Sequence, residues 1–201
     1  MKTATFLLSL SILFLFLPAA LPIIVEEERP KIVEMDKPVP DFKLKTADGK
    51  EEYSLSQFKD KIVVIEFIAT RCPYSRQQDA VIRQICADYK GKGVVFLGIN
   101  SNQQEPAAEV AKHQQDAKLG FPVLKDWNNV VADVFKATHT PHIFVVDAKG
   151  ILRYEGAIEP REAEERTSFL RNALDELLAG KEVRLKETQQ WGCTIKRVPK
   201  R

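Results

Sequence analysis

Cysteine is scarce in this chain of 201 residues: there are three, and none lies in the first 22 positions. Attachment of a lipid through a thiol is therefore excluded for that amino-terminal segment. An excess of one charge sign is also missing, because the formal net charge is only +2 and acidic and basic residues are interspersed. Without a basic face, nucleic acid is not an expected partner. The length suits one compact domain with appendages at its ends.

The first cysteine, Cys72, stands between a strand-like apolar run at 62–68 and a helix-like stretch. A thiol at a helix N-terminus meets unpaired backbone N–H groups and the positive end of the helix dipole, and both favour the thiolate. Arg71 and Arg76 act in the same direction. Pro73 suits the first helical turn, where a backbone N–H has no partner. The pattern predicts a thiol redox site that needs no cofactor.

The second sulfur of this site is not at the usual position, because Ser75 stands where a Cys-x-x-Cys pair would end. Cys86 lies on the apolar face of the helix that Cys72 opens, and we expect it to be a buried, inert thiol. Cys193 lies in a polar, basic tail at 181–201. Burial is not the expected reason for a cysteine there, so Cys193 is the better candidate for a resolving residue.

The amino-terminal segment 1–22 has the pattern of a secretory signal: one early lysine, a long apolar run and the small residues Ala19 and Ala20. The apolar character continues to Val25, which gives roughly the twenty residues that a membrane span requires, so an uncleaved anchor is the alternative. Either way we expect the folded part outside the cytoplasm, periplasmic or secreted. Contact with a membrane is expected only if the segment is retained. Residues 23–37 are predicted to be a linker.

Residues 38–180 are predicted to form one domain in which strands alternate with helices. The expected elements are extended segments within 43–53 around an Asp48-Gly49 turn, a helical turn at 54–58, strands at 62–68, 93–99 and 121–124, helices at 76–89, 105–118 and 128–135 (the last capped by Asp126 or Asn128), a hairpin at 143–155 and a closing helix at 162–178. This order predicts an α/β fold, with a mixed central sheet flanked by helices.

Two motifs carry a resemblance to a known family: the loop at 67–75, which contains Cys72, and the pair Thr140-Pro141. Over residues 38–180 the chain resembles a thioredoxin-superfamily redoxin of the alkyl hydroperoxide reductase/thiol-specific antioxidant group. Its tail resembles the ending of peroxiredoxin-like secreted redoxins. The resemblance implies a thioredoxin-like fold and a thiol-dependent oxidoreductase or peroxidase with an antioxidant role. It also implies a peroxide or a protein or small-molecule disulfide as substrate, and an external thiol as reductant.

The resemblance also implies roles for individual residues. Thr140 and a cis-Pro141 would face Cys72 and, with Pro73 and Tyr74, bind the substrate. Glu66 is the one charge in its strand and would be a buried proton carrier, since burial raises a carboxyl pKa. An acid at a strand end paired with a lysine is an equal alternative for Glu66.

Two departures from the family patterns leave the reaction open: Ser75 stands where a dithiol thioredoxin has its second cysteine, and the peroxidase pattern is incomplete. Peroxidases carry the pattern P-x-x-x-T/S-x-x-C. With Cys72 as its cysteine, Ile65 stands at the proline position and Ala69 at the Thr/Ser position, and Thr70 has the nearest hydroxyl. Thiol–disulfide exchange without peroxidase activity is therefore an alternative, and a binding module that keeps only the fold is another. His139 and His142 have a spacing that could suit a metal with outside ligands, but we expect solvated loop histidines and no metal site.

Overall fold

The computed structural model describes residues 32–162 and 167–199 of the chain. In chain order its elements are β1 (Lys43–Lys45), β2 (Glu52–Ser54), β3 (Ile62–Phe67), α1 (Pro73–Tyr89), β4 (Val94–Asn100), α2 (Ala107–Asp116), β5 (Val123–Lys125), α3 (Val130–Val134), β6 (His139–Thr140), β7 (His142–Val146), β8 (Leu152–Gly156), α4 (Phe169–Leu178) and β9 (Cys193–Thr194). Short 3₁₀ turns cover Leu55–Phe58 and Trp127–Asn129.

The central sheet has five strands in the order β5-β4-β3-β7-β8. β3, β4 and β5 are parallel, whereas β7 and β8 run antiparallel to the strand beside them. The mixed sheet expected from the sequence is therefore confirmed. Two small antiparallel pairs lie outside it, β1 with β2 and β6 with β9. The first of these is the hairpin predicted around Asp48-Gly49.

The core lies on both faces of the sheet because the side chains of β3 alternate between them. Val64 belongs to a cluster with Ile82 and Ile85 of α1, whereas Ile65 and Phe67 belong to a second cluster with Phe135 and Phe144. Every residue of β3 is buried. A central strand covered on both faces reads as a nearly continuous apolar run, and this is the signal that located it in the sequence.

Within the described residues, all four helices differ from their predicted bounds, and for α3 and α4 the cause lies in the residues just before the helix. α3 is shorter than expected, because the 3₁₀ turn at Trp127–Asn129 precedes it. Of the two proposed caps, Asp126 fills the role: its carboxylate accepts from the backbone N–H groups of Val131 at 3.1 Å and Ala132 at 3.0 Å. α4 begins at Phe169, where Ser168 Oγ accepts from the backbone N–H of Arg171 at 3.3 Å. Residues 163–166 of the predicted closing helix lie outside the described residues.

Both ends of the described chain pack against the domain. Val33, from the predicted linker, is buried and donates its backbone N–H to Val134 O at 2.9 Å. In the tail, Thr188 N donates to Glu155 O at 3.0 Å, and Glu155 N donates to Lys186 O at 2.9 Å. The predicted signal segment at 1–22 lies outside the described residues. Within 32–162 and 167–199, no helix combines the length and the apolarity needed to cross a membrane.

Candidate active site

Cys72 lies in the loop between β3 and α1 and occupies the N-cap position of the helix. Its Sγ accepts from the backbone N–H of Ser75 at 3.4 Å, as a side-chain oxygen does at most helix starts. Pro73 takes the first helical position. The sulfur therefore meets the positive end of a 17-residue helix, where a negative charge is stabilised. Cys72 is only 3% exposed, so a partner must reach it through a narrow opening.

Thr140 and Pro141 face this sulfur from the other side of the site. The peptide bond between them is cis, as the resemblance implied. The Cys72 thiol donates to Thr140 O at 3.2 Å, and Thr140 is itself buried. The loop of the predicted thiol and the threonine–proline pair, 68 positions apart in the sequence, are therefore in direct contact.

Cys193 reaches the same place from the carboxyl-terminal tail. β9 pairs antiparallel with β6, and the register sets Cys193 opposite Thr140 and Thr194 opposite His139. Burial, and then the hydrogen bond and charge of Cys72, raise the pKa of Cys193 to about 11. Near neutral pH Cys193 is therefore a protonated thiol as long as Cys72 is not bonded to another sulfur. Both thiols are reduced in this structure.

Cys86, the third cysteine, is half-buried on α1 rather than fully buried as the sequence predicted. The helix positions it at the edge of the apolar cluster, where its Sγ lies 4.0 Å from Gly120 O. Burial raises the pKa of the Cys86 thiol, which suits an unreactive side chain.

The polar groups next to Cys72 in the sequence are directed toward α2. Arg71 donates from Nε to Glu109 Oε1 at 2.8 Å and from Nη2 to Glu109 Oε2 at 2.5 Å. Thr70 Oγ1 donates to the same Glu109 Oε1 at 3.2 Å. The positive charge of Arg71, which was expected to favour the Cys72 thiolate, is thus paired with the Glu109 carboxylate. Arg76 lies on the exposed side of α1.

Glu105 is a residue of this site that the sequence did not predict. Its buried carboxylate accepts from the backbone N–H groups of Thr70 at 3.0 Å and Arg71 at 2.9 Å, and from Asn100 Nδ2 at 2.5 Å. These bonds hold the loop that carries Cys72. The local pattern of an acid before a proline at a helix start gives no sign of a contact with a loop 34 positions earlier.

Glu66 is buried on the face of the sheet that α1 covers, with 1% of its surface exposed. Among the described residues its carboxylate oxygens have no hydrogen-bond partner, so the lysine pairing proposed as one alternative is wrong. Burial, and then the nearby charge of Asp79, raise the pKa of Glu66 to about 8. Glu66 therefore exchanges its proton close to neutral pH.

Asp79 of α1 is also buried, with 9% of its surface exposed. It follows Cys72 by two turns of α1, so both lie on one side of the helix. Its Oδ2 lies 3.1 Å from His113 Nε2 of α2. The space behind the site therefore holds two carboxyl groups and an imidazole.

The expectation of solvated loop histidines at 139 and 142 is wrong for His142. This residue begins β7, is 3% exposed, and its ring centroid lies 4.4 Å from that of Phe144. Burial, and then His139, lower the pKa of His142 to about 4. His139 is half-exposed, with Nδ1 2.8 Å from Thr138 Oγ1. Across the described ranges, no group of three His, Cys, Asp or Glu side chains is placed to hold a metal ion.

The Cys72 sulfur opens onto a small pocket of about 190 Å³. Its walls come from the Cys72 loop, the start of α2 and the tail: Ala69, Arg71, Cys72, Asn102, Gln104, Glu105, Cys193, Thr194 and Lys196. Of the predicted substrate-binding residues, Pro73 is exposed beside this region. The Tyr74 ring instead contacts the Trp191 ring of the tail edge to face, with centroids 5.8 Å apart.

The fold and the site define a thioredoxin-like redoxin. The chain belongs to the AhpC/TSA family, whose family model matches residues 35–155. It is thereby an oxidoreductase of the redoxin type.

Named relatives agree with this class. The thioredoxin-like protein YneN of Bacillus subtilis is 27% identical over 136 residues, which cover 67% of this chain and 79% of the relative. The thiol-disulfide oxidoreductase ResA of Oceanobacillus iheyensis is 28% identical over 154 residues, covering 74% and 79%. A crystal structure of a hypothetical protein from Sinorhizobium meliloti is similar with a TM-score of 0.76 and 31% identity, covering 83% of this chain and 96% of that one.

Proposed function

We propose that this protein is a thiol–disulfide oxidoreductase in which Cys72 is the attacking thiol and Cys193 the resolving thiol. The observation that carries the proposal is that both thiols line one small pocket beside Thr140, one at a helix N-terminus and the other on the strand paired with Thr140. The relative named as a thiol-disulfide oxidoreductase supports the same reaction class. The partners are a disulfide substrate and an external thiol reductant.

The reaction begins when the Cys72 thiolate attacks one sulfur of a substrate disulfide. A bond forms between Cys72 and that sulfur, the substrate S–S bond breaks, and one substrate thiolate leaves. Cys193 then loses its proton, attacks the Cys72 sulfur and releases the second substrate thiol. The protein now holds a Cys72–Cys193 disulfide, the substrate is reduced by two electrons, and a dithiol or two monothiols restore the start.

The protonation state of Cys193 changes in step with these two attacks. While Cys72 is free, its hydrogen bond and charge help to keep Cys193 protonated. Once Cys72 is bonded to substrate sulfur, that negative charge is gone and Cys193 ionises more readily. Glu66, with a pKa raised to about 8, is suited to take up or return a proton behind the site near neutral pH.

The neighbours of Cys72 favour a disulfide over a peroxide as substrate. Ala69 replaces the hydroxyl of the peroxidase pattern, and the Thr70 hydroxyl donates to Glu109. The Arg71 guanidinium binds Glu109 as well. Peroxidase activity is the second candidate, and membership of the AhpC/TSA family is the observation that favours it.

We propose that the reaction takes place outside the cytoplasm, because residues 1–22 have the pattern of a secretory signal or, if uncleaved, of an amino-terminal anchor. Disulfides persist in oxidising compartments outside the cytoplasm, so a disulfide formed at Cys72 lasts until the external thiol reduces it.

Turnover assays test this proposal. The protein is supplied with a dithiol reductant and either bis(2-hydroxyethyl) disulfide or hydrogen peroxide, and consumption of each oxidant is followed. We expect turnover of the disulfide, its loss in Cys72→Ser, and its retention in Cys86→Ala, the matched change at a cysteine away from the site. Disulfide turnover by Cys72→Ser at the wild-type rate would remove the proposal, and faster peroxide turnover would favour the second candidate.

A further inference from the structure

The tail occupies the surface on which a peptide substrate would pair. An extended peptide binds to the edge of a sheet through backbone hydrogen bonds. Beside Cys72 that edge is strand β6, which contains Thr140. In this structure the partner of β6 is the chain's own β9, which sets Cys193 opposite Thr140. Cys193 therefore stands where the cysteine of a bound peptide would meet the Cys72 sulfur.

The strand is held on both sides of Cys193. Before it, Trp191 Nε1 donates to Glu159 O at 3.1 Å, and the Trp191 ring contacts Tyr74. After it, Ile195 is 3% exposed and donates its N–H to Thr138 O at 2.9 Å. Lys196 N donates to Asn102 Oδ1 at 2.7 Å. The tail is thus a packed part of the domain.

Gly192 permits the close approach of the strand to β6. Its φ is +148°, and a Cβ placed there would lie 2.0 Å from Thr140 O. No side chain fits at this distance, so the strand can pair with β6 only because position 192 is glycine.

The remaining route to the Cys72 sulfur is the pocket of about 190 Å³ that the tail itself helps to line. A small molecule can enter such a space, whereas a polypeptide backbone needs the β6 edge. A disulfide carried on a peptide must therefore wait for the tail to leave.

We propose that the tail segment 191–196 restricts Cys72 to low-molecular-weight disulfides by occupying the β6 edge as an internal strand. The inference rests on the proposed exchange reaction and names its substrate class. In the first step a Cys72–substrate disulfide forms and a small thiolate leaves. Cys193 then attacks the Cys72 sulfur, the Cys72–substrate bond breaks and the second small thiol leaves, without any movement of the strand across the domain.

The test measures the first step alone, in full-length protein with Cys193→Ser so that the Cys72 adduct accumulates. One probe is bis(2-hydroxyethyl) disulfide, and the other is an unstructured peptide of about ten residues whose single cysteine carries a mercaptoethanol disulfide. Rate constants for loss of the Cys72 thiol are read by mass spectrometry after acid quenching. Each is divided by the rate constant of the same probe with free glutathione.

We expect the peptide to react more slowly by about tenfold or more. The peptide reacts only with molecules whose tail has left the β6 edge, and if these make up less than about a tenth of the population, the rate constant falls by the same factor. Gly192→Ala should bring the two rates to within about threefold, because the added Cβ displaces the strand from β6. Gly150→Ala is the matched control, at a glycine of positive φ with open space around it, and should keep the difference. Trp191→Ala, which removes the Tyr74 and Glu159 contacts, replaces Gly192→Ala if that variant does not fold.

Equal rates for the two probes with the tail in place would overturn the inference, as would an unchanged difference in both Gly192→Ala and Trp191→Ala. If neither probe modifies Cys72, the proposed exchange reaction fails, and the inference fails with it.

Discussion

Cys193 lies directly opposite Thr140 in the pairing of β9 with β6, and the carbonyl oxygen of the same Thr140 accepts from the Cys72 thiol at 3.2 Å. One backbone residue thus aligns both thiols. The second sulfur is supplied by strand pairing from the tail, whereas the position one helical turn after Cys72 holds Ser75. Ser75 has a structural task there, since its Oγ accepts from the backbone N–H of Ala69 at 3.1 Å.

Replacing Cys193 should separate the two steps of the reaction. In Cys193→Ser, Cys72 still attacks the substrate, but the mixed disulfide accumulates and turnover depends on the external thiol. We expect the adduct to be the main species by mass spectrometry after one equivalent of disulfide. Under excess peroxide the variant should also accumulate overoxidised Cys72. Cys86→Ser is the matched control and should behave like the wild type. If Cys193→Ser turns over the disulfide at the wild-type rate and resists overoxidation of Cys72 as well as the wild type does, Cys193 is not the resolving residue.

Cys86→Ala should affect stability and leave turnover unchanged. The thiol is half-buried at the edge of the apolar cluster, so its loss removes part of a buried side chain. We expect the free energy of unfolding to fall by about 1 kcal/mol or less. Urea unfolding followed by circular dichroism measures this difference, and a large loss of turnover in a folded variant would contradict it.

His142 should make the fold sensitive to acid. Its pKa is lowered to about 4 when folded, against about 6.5 when unfolded, so between these values the unfolded chain binds a proton that the folded chain does not. Stability therefore falls as the pH drops through this window, by on the order of 2 kcal/mol between about pH 7 and pH 5.

The measurement is urea unfolding at both pH values for the wild type and for His142→Phe. The Phe variant should lose less stability on acidification, and His139→Gln, at the half-exposed neighbour, should follow the wild type. Parallel pH dependence in the wild type and His142→Phe would show that His142 is not the group responsible.

Glu66 should act in the opposite direction. Its pKa is raised to about 8 by burial and Asp79, against its ordinary value of 4.5, so the folded chain retains a proton that the unfolded chain releases between these values. Stability contributed by this group is present at low pH and is lost as the pH rises toward 8. Glu66→Gln should therefore lose less stability between about pH 5 and pH 8 than the wild type. An identical slope in the two proteins would place the Glu66 titration elsewhere.

Much of the fold could be predicted because its signals are local. The buried run of β3, Pro73 at the start of α1 and the Asp48-Gly49 turn each identify an element from neighbouring residues alone. These signals also located Cys72 correctly at a helix N-terminus. The start of α4 at Phe169 was harder to predict, since a charged stretch before it has no breaker residue.

The rest of the site depends on tertiary pairing. The burial of His142 follows from its register opposite Phe67 in the β3–β7 pair. The contacts of Glu105 and Glu109 with the Cys72 loop depend on where α2 packs. The sequence made Cys193 the better candidate for the resolving residue, but the β6–β9 register that places it opposite Thr140 has no local signature.

The bond between the two thiols is the most direct test. Reduced protein is treated with one equivalent of bis(2-hydroxyethyl) disulfide, quenched with an alkylating reagent, digested and examined by mass spectrometry. We predict a peptide pair joined through Cys72 and Cys193, two equivalents of mercaptoethanol released, and Cys86 alkylated. A Cys72 adduct that persists with Cys193 fully alkylated, or a Cys72 that stays unmodified, would contradict the two-thiol mechanism.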